Sequence, residues 1–173
     1  MDNLYQTRAM TEHTPEFTRF DERHLQEVLE LSIRAWRPVF PAMQREMPSY
    51  IYDAFYPEGW ETRQRTDIAA VCRDKETDVW VAHLDGTLCG FIGLRVHDED
   101  SMGEIYVLAV DPDCQRRGVG SALIAFAFDW MREQNLAMAM VETGGDQGHA
   151  PSRATYEHAG FERLPVARYF RKL

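Results

Sequence analysis

Two glycines one residue apart stand in the segment Gln115-Arg116-Arg117-Gly118-Val119-Gly120-Ser121. The chemistry open to such a pattern is anion binding. A glycine turn at a helix start lets backbone N–H groups close on a phosphate, and the positive end of the helix dipole points to the same place. A cradle of this kind needs a strand to deliver the turn and a helix to leave it. Glu104-Ile105-Tyr106-Val107-Leu108-Ala109-Val110 is rich in β-branched and aromatic residues and reads as the strand. Asp111-Pro112-Asp113 ends it, because proline cannot donate to a ladder and Asp favours turns. Downstream, Val119, Leu123, Ala127, Trp130, Met131 and Gln134 recur at helical spacing, and all but the last are apolar.

Three nucleotide-binding readings compete for this cradle. A P-loop is excluded, since no Gly-Lys-Ser/Thr follows the glycines. A dinucleotide-binding turn wants Gly-x-Gly-x-x-Gly tight against its strand; here Leu123 holds the third glycine position, and seven residues separate Val110 from Gly118. The third reading fits best. Gln115-x-x-Gly118-x-Gly120 resembles the acyl-CoA pyrophosphate loop of the GNAT superfamily of N-acetyltransferases. Glu104 lies fourteen positions before Gly118, which resembles the histone acetyltransferases of that superfamily, where a glutamate at this place is the general base. After the loop helix comes a second strand, Met138 to Thr143. His149-Ala150-Pro151-Ser152-Arg153-Ala154-Thr155-Tyr156-Glu157-His158-Ala159-Gly160-Phe161 then looks like the family's Asn-x-x-Ala-x-x-Leu-Tyr-x-x-x-Gly-Phe segment, whose tyrosine is the usual general acid. It departs from that pattern at His149, Ser152 and Thr155.

The resemblance covers about Asp78 to Phe161, and it implies a set of roles. Acetyl-CoA is the acyl donor. The backbone of Leu108, Ala109 and Val110 pairs with the pantetheine amides. Gln115, Arg116, Arg117, Gly118, Val119, Gly120 and Ser121 hold the pyrophosphate, and His149 stands where the family's Asn touches CoA. Glu104 is the base and Tyr156 the acid; no metal is implied. Amide formation requires a neutral amine, and a lysine-like amine is protonated up to a pKa near roughly 10, so a base must take a proton. Backbone N–H groups of the Leu108–Val110 strand would stabilise the oxyanion. No cysteine nucleophile is needed, so transfer should be direct, in a ternary complex. Plain structural accounts also exist: Tyr156 as a core tyrosine, His149 as a cap, Asp98-Glu99-Asp100 as a solvated turn.

The elements around these motifs predict one α/β domain. Residues 1–15 read as a flexible tail, and 16–173 as a single acetyltransferase-type domain. Glu16 to Phe20 reads as a strand. Asp21 reads as the N-cap of a helix running from Glu22 to about Trp36, ended by Pro38 and Pro41. Ala42 to Arg73 reads as helix interrupted at Pro48 and Pro57-Glu58-Gly59, and is crowded with aromatics. Asp78–His83 and Leu88–His97 flank Asp85-Gly86, a strong hairpin signal. The first four strands should be antiparallel. The Glu104 and Met138 strands, joined through a helix, should run parallel. The GNAT fold adds a splay of that parallel pair at a bulge, with helices flanking the sheet.

Composition narrows the class. The chain has 173 residues, 45% of them hydrophobic, enough for one sizeable core. A net charge of −9 argues against nucleic acid as a partner. No apolar run nears the roughly 20 residues of a membrane span. Cys72, Cys89 and Cys114 are an odd number without metal spacing, and predict free thiols in a reducing cytoplasm. The expectation is thus an N-acetyltransferase moving acetyl from acetyl-CoA to a primary amine, either a small cationic amine or a protein amine; a homodimer is compatible. Two competing readings are a non-catalytic acyl-CoA-binding regulatory module on the same fold and a Rossmann-like nucleotide binder.

Overall fold

The computed structural model describes residues 14–173. The expected tail falls outside them except for its last two positions. A five-stranded sheet has the order β1 (Glu16–Arg19), β2 (Asp78–Leu84), β3 (Thr87–His97), β4 (Met102–Val110), β5 (Met138–Val141). The first four strands are antiparallel neighbours, and β4 and β5 are parallel, as the connections require. The β2–β3 turn has positive φ at both Asp85 and Gly86, the backbone of a type I′ hairpin. The helices are α1 (Leu25–Trp36), α2 (Val39–Glu46), α3 (Ser49–Phe55), α4 (Trp60–Arg73), α5 (Val119–Glu133) and α6 (Ala150–His158).

Two apolar layers sandwich the sheet. One joins Ile92, Leu94 and Ile105 to Val119, Leu123, Ala127 and Met131 of α5. The other joins Val81, Phe91, Val107 and Ala109 to Val28 and Leu31 of α1 and Ile68 of α4. Ile105 and Val107 should share a face by strand alternation, yet they enter opposite layers. The cause is a bulge: Gly93 pairs with Val107 and Leu94 with Ile105, so Tyr106 is an extra residue on β4. The guanidinium of Arg95 stacks over the Tyr106 ring at 3.3 Å.

Local chemistry accounts for the helix starts. Asp21 accepts the N–H of Arg23, and His24 Nδ1 accepts the N–H of Asp21, a reciprocal cap before α1. Residues 22–24 form a short 3-10 turn rather than the first turn of the predicted helix. Pro41 does not end a helix. It lies in the first turn of α2, where a missing N–H costs nothing. The Met138 strand ends at Val141, two residues sooner than its composition suggests.

The cysteines require a correction. Cys89 and Cys114 form a disulfide, with Cα atoms 5.7 Å apart, and only Cys72 is free. The pairing depends on a second bulge. Ala82 pairs with Gly90 and His83 with Leu88, so Cys89 is the extra residue of β3 and turns into the α5 layer beside Cys114. No spacing rule reveals such a contact. The compartment inferred from three free thiols loses two of them. Under denaturing conditions without reductant, a thiol-reactive dye should titrate one thiol, and three after reduction. In the native protein Cys72 should react slowly, because burial pushes its thiol up to about 12. Three thiols before reduction would contradict the pairing.

Candidate active site

β4 carries the site because it outlasts its parallel partner. Pairing with β5 runs from Met102–Met138 to Ile105–Val141 and stops there, while β4 continues to Val110. From Tyr106 to Val110 one edge of β4 is held by β3, and the edge facing away from β3 has no strand partner among the described residues. The chain after β5 is drawn elsewhere. Arg153 donates to the carbonyls of Gly144 and Asp146 at 2.6 and 2.7 Å, and the N–H of Gln147 donates to Glu46 of α2 at 3.0 Å. These bonds pull the strand's continuation onto α2 and leave the Leu108–Val110 backbone open. Leu108 and Val110 are half-buried and Ala109 is buried.

Glu104 sits one residue before the end of the β4–β5 pairing, opposite Met140. It alternates with Gly103 and Ile105, which face α5, so its side chain lies on the α1/α4 side with its cross-strand neighbour Arg95. Only 14% of the Glu104 side chain is exposed. Its carboxylate meets His97 Nε2 at 2.8 Å. Arg95 is turned away from it, bound to Asp74 and Thr77.

At the far end of the open edge lies the glycine turn. A 3-10 turn, Pro112–Cys114, separates β4 from it. Asp111 is buried, accepts the N–H of Asp113, and is paired with Arg34 of α1, whose Nε donates at 2.9 Å. The disulfide and this ion pair anchor the approach to the loop. Arg116 and Gly118 both have positive φ, at 59° and 81°. Gly118 is the N-cap of α5 and provides no side-chain cap, so the first N–H groups of α5 at Val119, Gly120 and Ser121 are left for an outside acceptor. Gln115 leans back on the Val110 carbonyl at 3.4 Å, Arg117 reaches Asp85 of the β2–β3 turn, and Arg116 is exposed with no ion pair among the described residues.

A Cβ at Gly120 would meet only a Val110 methyl, at an ordinary 3.7 Å. Gly120→Ala should therefore fold and bind CoA nearly as the parent does. Gly120→Glu adds a negative charge at the cradle and should weaken CoA binding by at least about 1.4 kcal/mol, one decade. Unchanged calorimetric affinity in folded Gly120→Glu would sink the cradle assignment.

Tyr156 and His149 belong to the segment after β5. Tyr156 is half-buried in the α5 layer, edge-on to Phe161 with ring centroids 5.9 Å apart. Burial alone pushes its phenol up to about 12, so it remains a proton donor at any physiological pH. Tyr156 and Glu104 lie on opposite faces of the β4–β5 pair. His149 is engaged locally: its Nδ1 meets Asp146 at 2.7 Å, and its N–H caps back to the same residue. Burial opposes the Asp146 charge, but the bonds to His149 outweigh it and hold that carboxyl below its ordinary range. Asp146 is thus the cap of the 3-10 turn Gln147–His149, and His149 precedes α6 without giving it a side-chain cap bond.

Sequence reasoning missed His97, Arg34 and Arg153. In the sequence His97 reads only as the end of the Leu88–His97 strand, next to the acidic Asp98-Glu99-Asp100 turn. Its contact with Glu104 arises from the β3–β4 register, and no local pattern encodes that.

The family model described as "Acetyltransferase (GNAT) family" matches residues 45–161. Mycothiol acetyltransferase of Rhodococcus jostii is similar, at 29% identity over 144 residues, covering 78% of this chain and 47% of that protein. The chain spans less than half the length of the curated relatives of this kind reported with it. Among solved structures, the PaiA N-acetyltransferase from Thermoplasma acidophilum, in complex with coenzyme A, superposes with a TM-score of 0.67 at 17% identity, covering 88% of this chain and 92% of that one. The ribosomal-protein-S18-alanine N-acetyltransferase from Escherichia coli gives 0.63 at 18%, covering 87% and 79%. At these identities the structures establish a shared fold.

Proposed function

The chain belongs to the acetyltransferase (GNAT) family, and we propose that it is an acetyl-CoA-dependent N-acetyltransferase acting on a primary amine. One observation carries the reading. A single strand, β4, bears an open backbone edge with a carboxylate at its near end and a glycine-turn helix start at its far end. The residues fit acetyl-CoA, the acyl donor of the family. The open Leu108–Val110 edge offers unpaired backbone groups to the amides of a pantetheine arm, and the Gln115–Ser121 turn offers N–H groups to a diphosphate. Acetyl-CoA supplies an activated thioester carbonyl.

The chain's own groups do the rest. Glu104 takes the proton that an attacking ammonium must lose. The β4 N–H groups orient the carbonyl and oppose its developing charge. Tyr156, kept neutral by burial, offers its hydroxyl proton to the departing sulfur. Direct transfer needs both substrates bound at once. Among the described residues no helix is long and apolar enough to cross a membrane, and no cluster of His, Cys, Asp and Glu could hold a metal.

Relatives named for mycothiol and for the alanine of a ribosomal protein set the two ends of the acceptor panel: small amines and peptide N-termini. Acetyl-CoA with each amine, followed by a thiol-detecting dye, should release free CoA only with an accepted amine. Coenzyme A, and not NAD, should raise the unfolding temperature. Binding without thiol release across the panel would favour the regulatory acyl-CoA-binding module.

A further inference from the structure

Glu104 can work as a base only if one of its carboxylate oxygens stays free for the amine, and the structure shows what occupies the other. Its Oε2 lies 2.8 Å from Nε2 of His97. A carboxylate only accepts, so the proton in this bond sits on Nε2 of the imidazole. Among the described residues His97 is the side chain hydrogen-bonded to Glu104. Arg95, the cross-strand neighbour, is held by Asp74 and Thr77.

The imidazole also has a way out. Its side chain is 34% exposed, against 14% for Glu104. His97 is one of the residues around a cavity of about 460 Å³ at the end of the sheet near the start of β4, whose other walls include Leu94, Val96, Trp130 and Gln134 on the α5 side. The charged groups around that cavity are Lys75, Glu76, Asp78, Asp98 and Glu99, and Asp78 is paired with Arg19. So the carboxylate is shielded while its partner reaches solvent, and the partner is the side chain type that gains a proton nearest to neutrality.

We propose that His97 is the positioning residue of this site and makes its base responsive to pH; this rests on Glu104 being the base. With a neutral ring, the Nε2–H···Oε2 bond fixes the carboxylate and leaves Oε1 to collect the amine's proton. When the ring gains a second proton from solvent at Nδ1, it becomes an imidazolium paired with Glu104. The carboxylate is then held by a full positive charge and gives up basicity, because a nearby cation favours its ionised form. Activity falls with no change in cofactor binding.

Two variants separate orientation from charge. His97→Gln keeps an amide N–H near the Nε2 position and cannot titrate. His97→Ala removes the bond. Dividing variant by wild-type kcat/KM at each pH cancels the acceptor's own ionisation. For His97→Gln this ratio should climb by about 5-fold or more as pH falls from 8 to 5.5, since the wild type alone loses its base. For His97→Ala, kcat should drop about 10-fold at the plateau, with KM for acetyl-CoA within about 2-fold. A flat ratio for folded His97→Gln, or an unchanged kcat for His97→Ala, overturns the proposal. Glu104→Gln measured alongside keeps the two levels apart. If it is nearly inactive while both His97 variants behave as wild type, only the role of His97 fails. If it keeps full activity, the assignment of the base itself fails. A merely structural His97 would lower the unfolding temperature of both variants and leave the shape of both pH profiles alone.

Discussion

Glu104→Gln is expected to lower kcat on the order of 10²-fold or more near neutral pH, and to recover part of that loss at high pH. The substitution keeps the shape of a side chain that is 14% exposed and bound to His97, so the fold and the β4–β5 pairing should persist. It removes only the ability to take a proton. As pH approaches the acceptor's own pKa, near roughly 10 for a lysine-like amine, neutral amine becomes available without a base and the deficit should shrink. Both kcat and kcat/KM should fall together, because the lost interaction exists only in the transition state. An unaltered pH–rate profile would assign the proton to another group or to solvent.

Tyr156→Phe is expected to cost at least about 10-fold in kcat with little change in the KM for acetyl-CoA. The ring stays, so its packing against Phe161 and the α5 layer is retained. Only the hydroxyl goes, and with it the proton offered to the departing sulfur. Burial pushes that phenol up from 10.0 to about 12, which keeps the acid charged with its proton but makes it weaker than a solvent-exposed tyrosine. No basic limb from Tyr156 should therefore appear in the rate profile below about pH 12. Stability carries a matching sign. A folded-state value above the unfolded one means a contribution fully present below pH 10 and lost as pH rises toward about 12. Tyr156→Phe should lack that part of the alkaline loss. A variant that melts earlier but turns over normally per folded molecule would make Tyr156 a packing residue.

Which parts of this were legible in the chain follows from the range of the forces involved. Helix and strand identity came from periodicity and turn chemistry within a few residues. The α5 stripe at Val119, Leu123, Ala127 and Met131 faces the core as its spacing requires. Asp85-Gly86 makes the hairpin, and Asp21 caps the first helical turn. The parallel pairing of β4 and β5 followed from a helical crossover, and the glycine turn from Gly118 and its neighbours. All of these are local or topological, so composition at each position was enough to determine them.

The features that make a site of those elements are set by register across strands, which adjacent residues do not encode. Nothing near Tyr106 or Cys89 announces a bulge. Yet the Tyr106 bulge sends Val107 and Ala109 to the face opposite Ile105, and the Cys89 bulge brings two cysteines together that are 25 residues apart. The early end of β5 is decided by Arg153, Asp146 and Glu46 drawing the following chain onto α2. His97 meets Glu104 because β3 and β4 pair with that one-residue slip. The sequence by itself therefore determined most of the elements, the fold class and the candidate residues proposed for acyl transfer. Tertiary packing alone decided where the sheet opens, which face each side chain takes and which partner holds Glu104, because those outcomes depend on contacts whose energies are shared among residues far apart in the chain.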